Sequence, residues 1–264
     1  MSNLKRALVT GGTRGIGFDI CKMLLCNNYE VVFTGRTQKN VDDALQKYNN
    51  SKIQGVVLNM TEPLFYKKMN FNSQFDTVIH NAGMLSRDSL INMNETKLEK
   101  MFSVNVLGPM ALTKSYLPYM MKQKRGNIFF FCPPYRIDQK TNILTPYMQT
   151  KLAQTTFMFS LANIISNNGK NNITVSGFWT EYPIYTDALI HRKIGSKDNC
   201  MSPDIISKTV ELMLFDKKIN IHGNVMIDKY YLSSKNYNPN LWALGKNTKN
   251  LEELFITSTK NPDF

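Results

Sequence analysis

Along the chain, short runs of β-branched and aromatic residues alternate with longer stretches whose apolar positions recur at helical spacing. The runs RALVT (6–10), EVVFT (30–34), QGVVLN (54–59), TVIH (77–80), NIFFF (127–131), TVSGFW (174–179) and VMID (225–228) predict strands. Helical spacing is clearest over 18–26, 97–121 and 147–166. Strands and helices that alternate over the whole length predict a doubly wound α/β architecture, with about seven parallel strands and helices on both faces. No Pro/Gly/Ser-rich linker and no internal repeat interrupts the alternation. Residues 1–264 therefore read as a single domain, with an extended C-terminal tail from about 235.

Composition narrows the classes open to such a domain. Hydrophobic residues make up 42% of the 264, yet no run reaches the roughly 20 apolar residues needed to cross a bilayer, and the opening MSNLKR has no signal-type apolar core. The expectation is a soluble cytoplasmic protein with no membrane partner. Cys21, Cys26, Cys132 and Cys200 form no C-x-x-C pair, and His80, His191 and His222 are the only histidines, so neither a metal site nor a disulfide framework is expected. The net charge of +12 raises nucleic acid as a partner, but the lysines are scattered and no recognition motif accompanies them. A solvated basic surface with no nucleic-acid partner is the expectation.

Chemistry enters with the loop after the first strand. TGGTRGIG (10–17) places Gly11, Gly15 and Gly17 between a strand and an apolar helix, where a tight turn brings a helix N-terminus up to a pyrophosphate, as in Rossmann-type nucleotide sites. Three further motifs follow in order: HNAG at 80–83, SVNVLGP around Asn105, and Tyr147 with Lys151 in Y-x-x-x-K. Together the four motifs resemble those of the short-chain dehydrogenase/reductase family. The resemblance implies a Rossmann-type fold, a nicotinamide cofactor and hydride transfer between that cofactor and a carbonyl or alcohol substrate. It also implies a cofactor lined by Gly11, Thr13, Arg14, Gly15, Ile16, Gly17, Arg36, Asn59, Met60, Asn81, Ala82, Gly83, Tyr147, Lys151, Ile184 and Thr186. NAD-binding relatives carry an acid at the end of the second strand, whereas here Gly35 is followed by Arg36 and Arg14 lies in the glycine loop. Two guanidinium groups beside the ribose suit a 2′-phosphate, which points to NADP(H).

The resemblance implies Tyr147, Lys151 and Asn105 as the catalytic set. On a helix, Tyr147 and Lys151 share one face, where an ammonium favours the phenolate and brings a tyrosine nearer its working range. Asn105 would support a water-linked proton path behind Lys151. The family's serine after the fifth strand is missing: counting from Gly126 puts Pro133 in its slot, after Cys132, and neither is a good donor. After the sixth strand, Thr180 and Glu181 replace the family's P-G pair. Both departures leave open a rival reading, an NADP(H)-binding protein with weak or lost catalysis. Phe178, Trp179, Tyr182, Tyr185, Leu189 and Ile190 offer surface for an apolar substrate, with core packing an equal account of the first two. The segment CPP, with VSGFWTEYPIYTDA and HGNVMIDKYYL, resembles the family's hydroxysteroid dehydrogenase-like branch. That branch's sterol-carrier domain and peroxisomal C-terminus are not expected in a chain ending at Phe264. Phe157, Met158, Phe159, Leu161 and Ile165 lie too far around one helix to meet a single sheet, which predicts a homodimer or homotetramer.

Overall fold

The computed structural model describes residues 4–62, 74–86, 88, 90–134, 144–191, 195–216 and 218–245. Seven strands form one parallel sheet: β1 Arg6–Val9, β2 Glu30–Gly35, β3 Ile53–Val57, β4 Thr77–His80, β5 Arg125–Phe131, β6 Asn172–Trp179 and β7 Val225–Ile227. Their order is β3-β2-β1-β4-β5-β6-β7. Each predicted strand is present within one or two residues.

Alternation along the strands divides the core in two. Ala7, Val9, Val31, Phe33, Ile79 and Phe129 face one layer, with α1 (Gly15–Cys26), α2 (Gln38–Tyr48) and α7 (Asp204–Phe215) packed on it. Leu8, Val32, Val78, Ile128 and Phe130 face the other, covered by α4 (Gly108–Gln123) and α5 (Thr145–Asn167). Short helices α6 (Asp187–Ile190) and α8 (Asp228–Ser234) follow β6 and β7. In the tail, Pro239–Trp242 forms a 3-10 turn, and Ala243 bridges back to Met201.

Two expectations need correction. The helix expected over 97–121 is instead α3 (Glu95–Phe102), a π-helical turn at Ser103–Leu107 and α4. The widened turn carries buried Asn105, and such bulges re-aim one side chain without ending the helix. The five apolar residues on α5 also meet one layer after all: Met158, Leu161 and Ile165 are buried in the second core cluster, and Phe157 and Phe159 are half-buried against it. Exposed apolar surface lies elsewhere, at Phe102, Leu107, Met110 and Ile164.

Candidate active site

The glycine loop is fixed from both sides. Gly11 (φ +71°) and Gly15 (φ +55°) occupy the left-handed region that suits glycine, and a Cβ on Gly17 would stand 2.3 Å from the Gly11 carbonyl oxygen. Thr10 Oγ1 accepts hydrogen bonds from the backbone N–H groups of Asn81 (3.0 Å) and Ala82 (2.9 Å), while Asn81 Nδ2 donates to the Thr10 carbonyl oxygen at 3.0 Å. Tyr48 donates its hydroxyl to the Gly12 carbonyl oxygen at 2.5 Å, and its ring stacks on Phe18. The N-terminus of α1 thus faces a cleft at the carboxyl ends of β1 and β4, where the strand order reverses.

That cleft holds about 370 Å³ and gathers nearly every candidate residue: Gly11, Thr13, Arg14, Ile16, Gly17, Arg36, Asn59, Met60, Asn81, Ala82, Gly83, Tyr147, Lys151, Ile184 and Thr186. Gly15 stands just outside it, where a Cβ would meet Thr186 Cγ2 at 3.1 Å. A larger open groove of about 1030 Å³ runs along the opposite strand ends by Lys5, Arg125 and Lys170, and contains none of the candidates. The smaller cleft is the better site, because open α/β sheets bind ligands at the reversal point. At its mouth, Arg14 approaches Asp187 at 3.7 Å; both side chains are more than half exposed, so the pair contributes under about 1 kcal/mol and leaves the guanidinium free to turn. Arg36, the first residue after β2, is exposed on the same rim.

At the other end, Tyr147 and Lys151 project from the first turns of α5, both buried. The Lys151 ammonium donates to the Phe131 carbonyl oxygen (2.6 Å) and to Gln154 Oε1 (2.9 Å). The ammonium was expected to lower the Tyr147 pKa. Instead burial acts on the phenol and pushes it above its ordinary value. Burial lowers Lys151 to about 8, partly opposed by Cys132. Asn105 stands behind: its Oδ1 accepts from Met84 N (2.7 Å), and its Nδ2 donates to Met84 O (3.0 Å) and Thr150 Oγ1 (2.8 Å). His80, which opens the HNAG motif, is buried away from the cleft with Nε2 2.7 Å from the Tyr116 hydroxyl, and burial holds its pKa down at about 3.

Neither residue at the serine position lines the cleft. The Cys132 thiol is buried in the second core cluster, where a Cβ on Gly177 would stand 2.9 Å from its sulfur, and burial pushes its pKa up to about 12. Pro133 is also buried. Thr180, in the first P-G position, does line the cleft; Glu181 turns inward, with its N–H donating to Asp228 Oδ1 at 2.9 Å. Of the proposed substrate-facing residues, Trp179 and Leu189 border the cleft, whereas Phe178 and Tyr182 belong to the core and Tyr185 and Ile190 lie off the cleft wall. The sequence reading missed Tyr48 and Gln154, which have no motif of their own, and gave no role to Thr10, which opens the glycine motif. Among the described residues, no group of three His, Cys, Asp or Glu could hold a metal ion, and no helix is long and apolar enough to cross a membrane.

Comparison with known proteins accords with this geometry. The model of the short chain dehydrogenase family matches residues 5–194. An oxidoreductase of Bacillus subtilis, YvrD, is 23% identical over 184 residues, covering 67% of this chain and 70% of its own. The 3-oxoacyl-(acyl-carrier-protein) reductase FabG of Escherichia coli is 30% identical over 129 residues, 47% of this chain and 52% of that protein. The dehydrogenase/reductase SDR family member 7B of Xenopus laevis is 25% identical over 134 residues, and only 42% of its length is spanned. Among solved structures, a short-chain dehydrogenase from Sphingobium yanoikuyae in complex with NADPH superposes with a TM-score of 0.74 at 17% identity, covering 88% of this chain and 91% of that one.

Proposed function

The chain belongs to the short-chain dehydrogenase family, and from that premise we propose that it is an NADPH-dependent oxidoreductase interconverting a carbonyl and an alcohol on an apolar small molecule. The observation that carries this reading is one cleft with Tyr147 and Lys151 at one end, Arg14 and Arg36 at the other, and the α1 N-terminus between them. The residues present fit NADP(H). The glycine cradle and helix N-terminus would take the pyrophosphate, and the two exposed guanidinium groups would take the 2′-phosphate. When bound, the nicotinamide exchanges a hydride with the substrate carbon.

The chain's own groups handle the proton and the binding. The Tyr147 phenol is the group that would give a proton to a substrate oxygen in the reductive direction, and burial keeps it protonated. Lys151 would turn its donors to the nicotinamide ribose, with Asn105 fixing the backbone at Met84 behind it. Met84, Leu85, Val104, Phe131, Trp179 and Leu189 give the reacting end an apolar wall, which supports an apolar substrate. The NADPH in the Sphingobium yanoikuyae complex supports the cofactor assignment. The CPP segment and the sequence after β6 resemble hydroxysteroid dehydrogenase-like protein 2. We place the protein in the cytoplasm as a homodimer or homotetramer that acts mainly as a reductase, since cells hold NADPH mostly reduced.

The missing serine favours a second reading, cofactor binding with weak or lost turnover; Tyr147 and Lys151 in the cleft weigh for the enzyme. An NADPH-oxidation screen over a carbonyl library, run beside Tyr147→Phe, tests the choice. The expected result is turnover by the wild type and a loss of about a hundredfold or more in the variant, with NADPH affinity retained. A wild type that binds NADPH and reduces nothing supports the second reading. Undiminished turnover by Tyr147→Phe overturns the proposed role of the tyrosine.

A further inference from the structure

Lys151 is 1% exposed, and its ammonium lies near the ring faces of Phe131 and Trp179, 5.3 and 5.9 Å from their centroids. A buried cation needs acceptors. It has two among the described residues, the Phe131 carbonyl oxygen, which belongs to the end of β5, and the side chain of Gln154. Gln154 follows Lys151 by three residues on α5, so the two share one helix face. It is also 1% exposed, and its Nε2 has no hydrogen-bond partner. An apolar side chain of similar volume would fill this space without leaving a buried donor unsatisfied. Packing therefore does not account for an amide here, whereas the bond to Lys151 does.

We propose that Gln154 is a positioning residue that fixes the Lys151 ammonium at the floor of the cleft. The proposal deepens the oxidoreductase reading, because it rests on Lys151 as the ribose-holding lysine. In the held position the ammonium lies beside the backbone of Gly83 and near Asn105: a Cβ on Gly83 would stand 3.7 Å from Lys151 Nζ and 3.6 Å from Asn105 Oδ1. The titratable groups around it are Tyr147 one turn back on α5, Cys132 after β5 and His80 on β4; among the described residues no carboxylate acts on its charge. Gln154 thus offers this buried amine a neutral side-chain acceptor, which favours its charged form. Losing it favours the neutral amine; replacing it with a carboxylate favours the ammonium.

The test follows the Lys151 side chain directly, in the full chain labelled with 13C at lysine Cε, with its resonance identified by loss in Lys151→Arg. Gln154→Met should lower the titration midpoint by about one unit or more, a tenfold change in the protonation equilibrium. The same variant should weaken NADPH binding near pH 8 severalfold, while Gln154→Glu moves the midpoint the other way. An unchanged midpoint in folded Gln154→Met overturns the proposal. Should that variant not fold, an unchanged midpoint in Gln154→Glu does the same. The titration needs neither substrate nor cofactor, so a wild type that ignores NADPH would refute the oxidoreductase reading and still leave the role of Gln154 decided.

Discussion

Thr155 donates its hydroxyl to the carbonyl oxygen of Pro133 at 2.6 Å, which ties the residue in the serine slot to α5. The preceding Cys132 N–H donates to the Phe178 carbonyl oxygen at 3.1 Å, continuing the pairing of β5 with β6. These bonds hold the backbone on both sides of the slot and leave the Cys132 sulfur in the core.

Two serine substitutions therefore separate. Cys132→Ser puts a hydroxyl into an apolar layer and should leave turnover within about twofold while lowering stability by roughly 1 kcal/mol. Pro133→Ser puts a hydroxyl in the family's slot, and should raise turnover about tenfold or more if loss of the proline ring lets it turn from its buried position to the cleft. Initial rates on the best ketone from the screen, with urea unfolding of each variant, check both. A rate gain confined to Cys132→Ser would show that the thiol reaches the cleft.

Arg36 stands exposed on the rim where β2 ends. The wild type should bind NADPH at least tenfold more tightly than NADH, which needs only about 1.4 kcal/mol. Arg36→Asp should abolish the preference by removing a cation and opposing the 2′-phosphate. Titration calorimetry with both cofactors measures it, and equal affinities in the wild type would remove the NADP(H) assignment.

The strands were legible because a parallel sheet covered on both faces needs apolar residues at almost every position, as in NIFFF and TVIH. The sequence reading left open whether Cys132 or Pro133 fills the serine slot; strand parity with Ile128 and Phe130, which both face the second core layer, accounts for the core position of Cys132. The break at Asn105 was not legible, because one π-helical turn leaves the apolar spacing on either side almost unchanged. Spacing put Tyr147 and Lys151 on one helix face, yet it could not rank partners. Gln154 at i+3 and the Phe131 carbonyl hold the ammonium, and burial sets the direction of the phenol's pKa.

The proposed homodimer or homotetramer would draw on exposed apolar side chains, among them Phe102, Leu107 and Met110 on α3, the π-helical turn and α4, and Ile164 on α5. Light scattering at micromolar concentration should give the mass of a dimer or tetramer. Leu107→Glu, at a side chain 57% exposed, should shift the mass toward the monomer without unfolding the chain. A monomeric wild type would contradict the assignment.

Asp228 gives the fold a pH dependence separate from catalysis. Its carboxyl is buried where α8 begins, with Oδ1 accepting from the N–H groups of Glu181 (2.9 Å) and Lys229 (2.6 Å) and Oδ2 without a partner. Burial raises its pKa from 3.8 to about 6, and nearby Glu181 adds to the rise against the hydrogen bonds that favour the carboxylate. The facing groups are Thr180, Glu181 and Lys229, whose ammonium is 4.0 Å from Glu181 Oε1. Because the folded pKa lies above the unfolded one, the folded state holds more protons between about pH 4 and pH 6. Stability from this group is therefore full below that window and falls as pH rises through it, by at most roughly 3 kcal/mol at about 1.4 kcal/mol per unit. Asp228→Asn keeps an oxygen for both N–H groups and removes the ionisation. It should match the wild type near pH 3, exceed it by about 1–3 kcal/mol at pH 7, and flatten the slope between them. Urea unfolding across pH 3–7 measures this, and parallel curves for the two proteins would show that Asp228 ionises without cost to the fold.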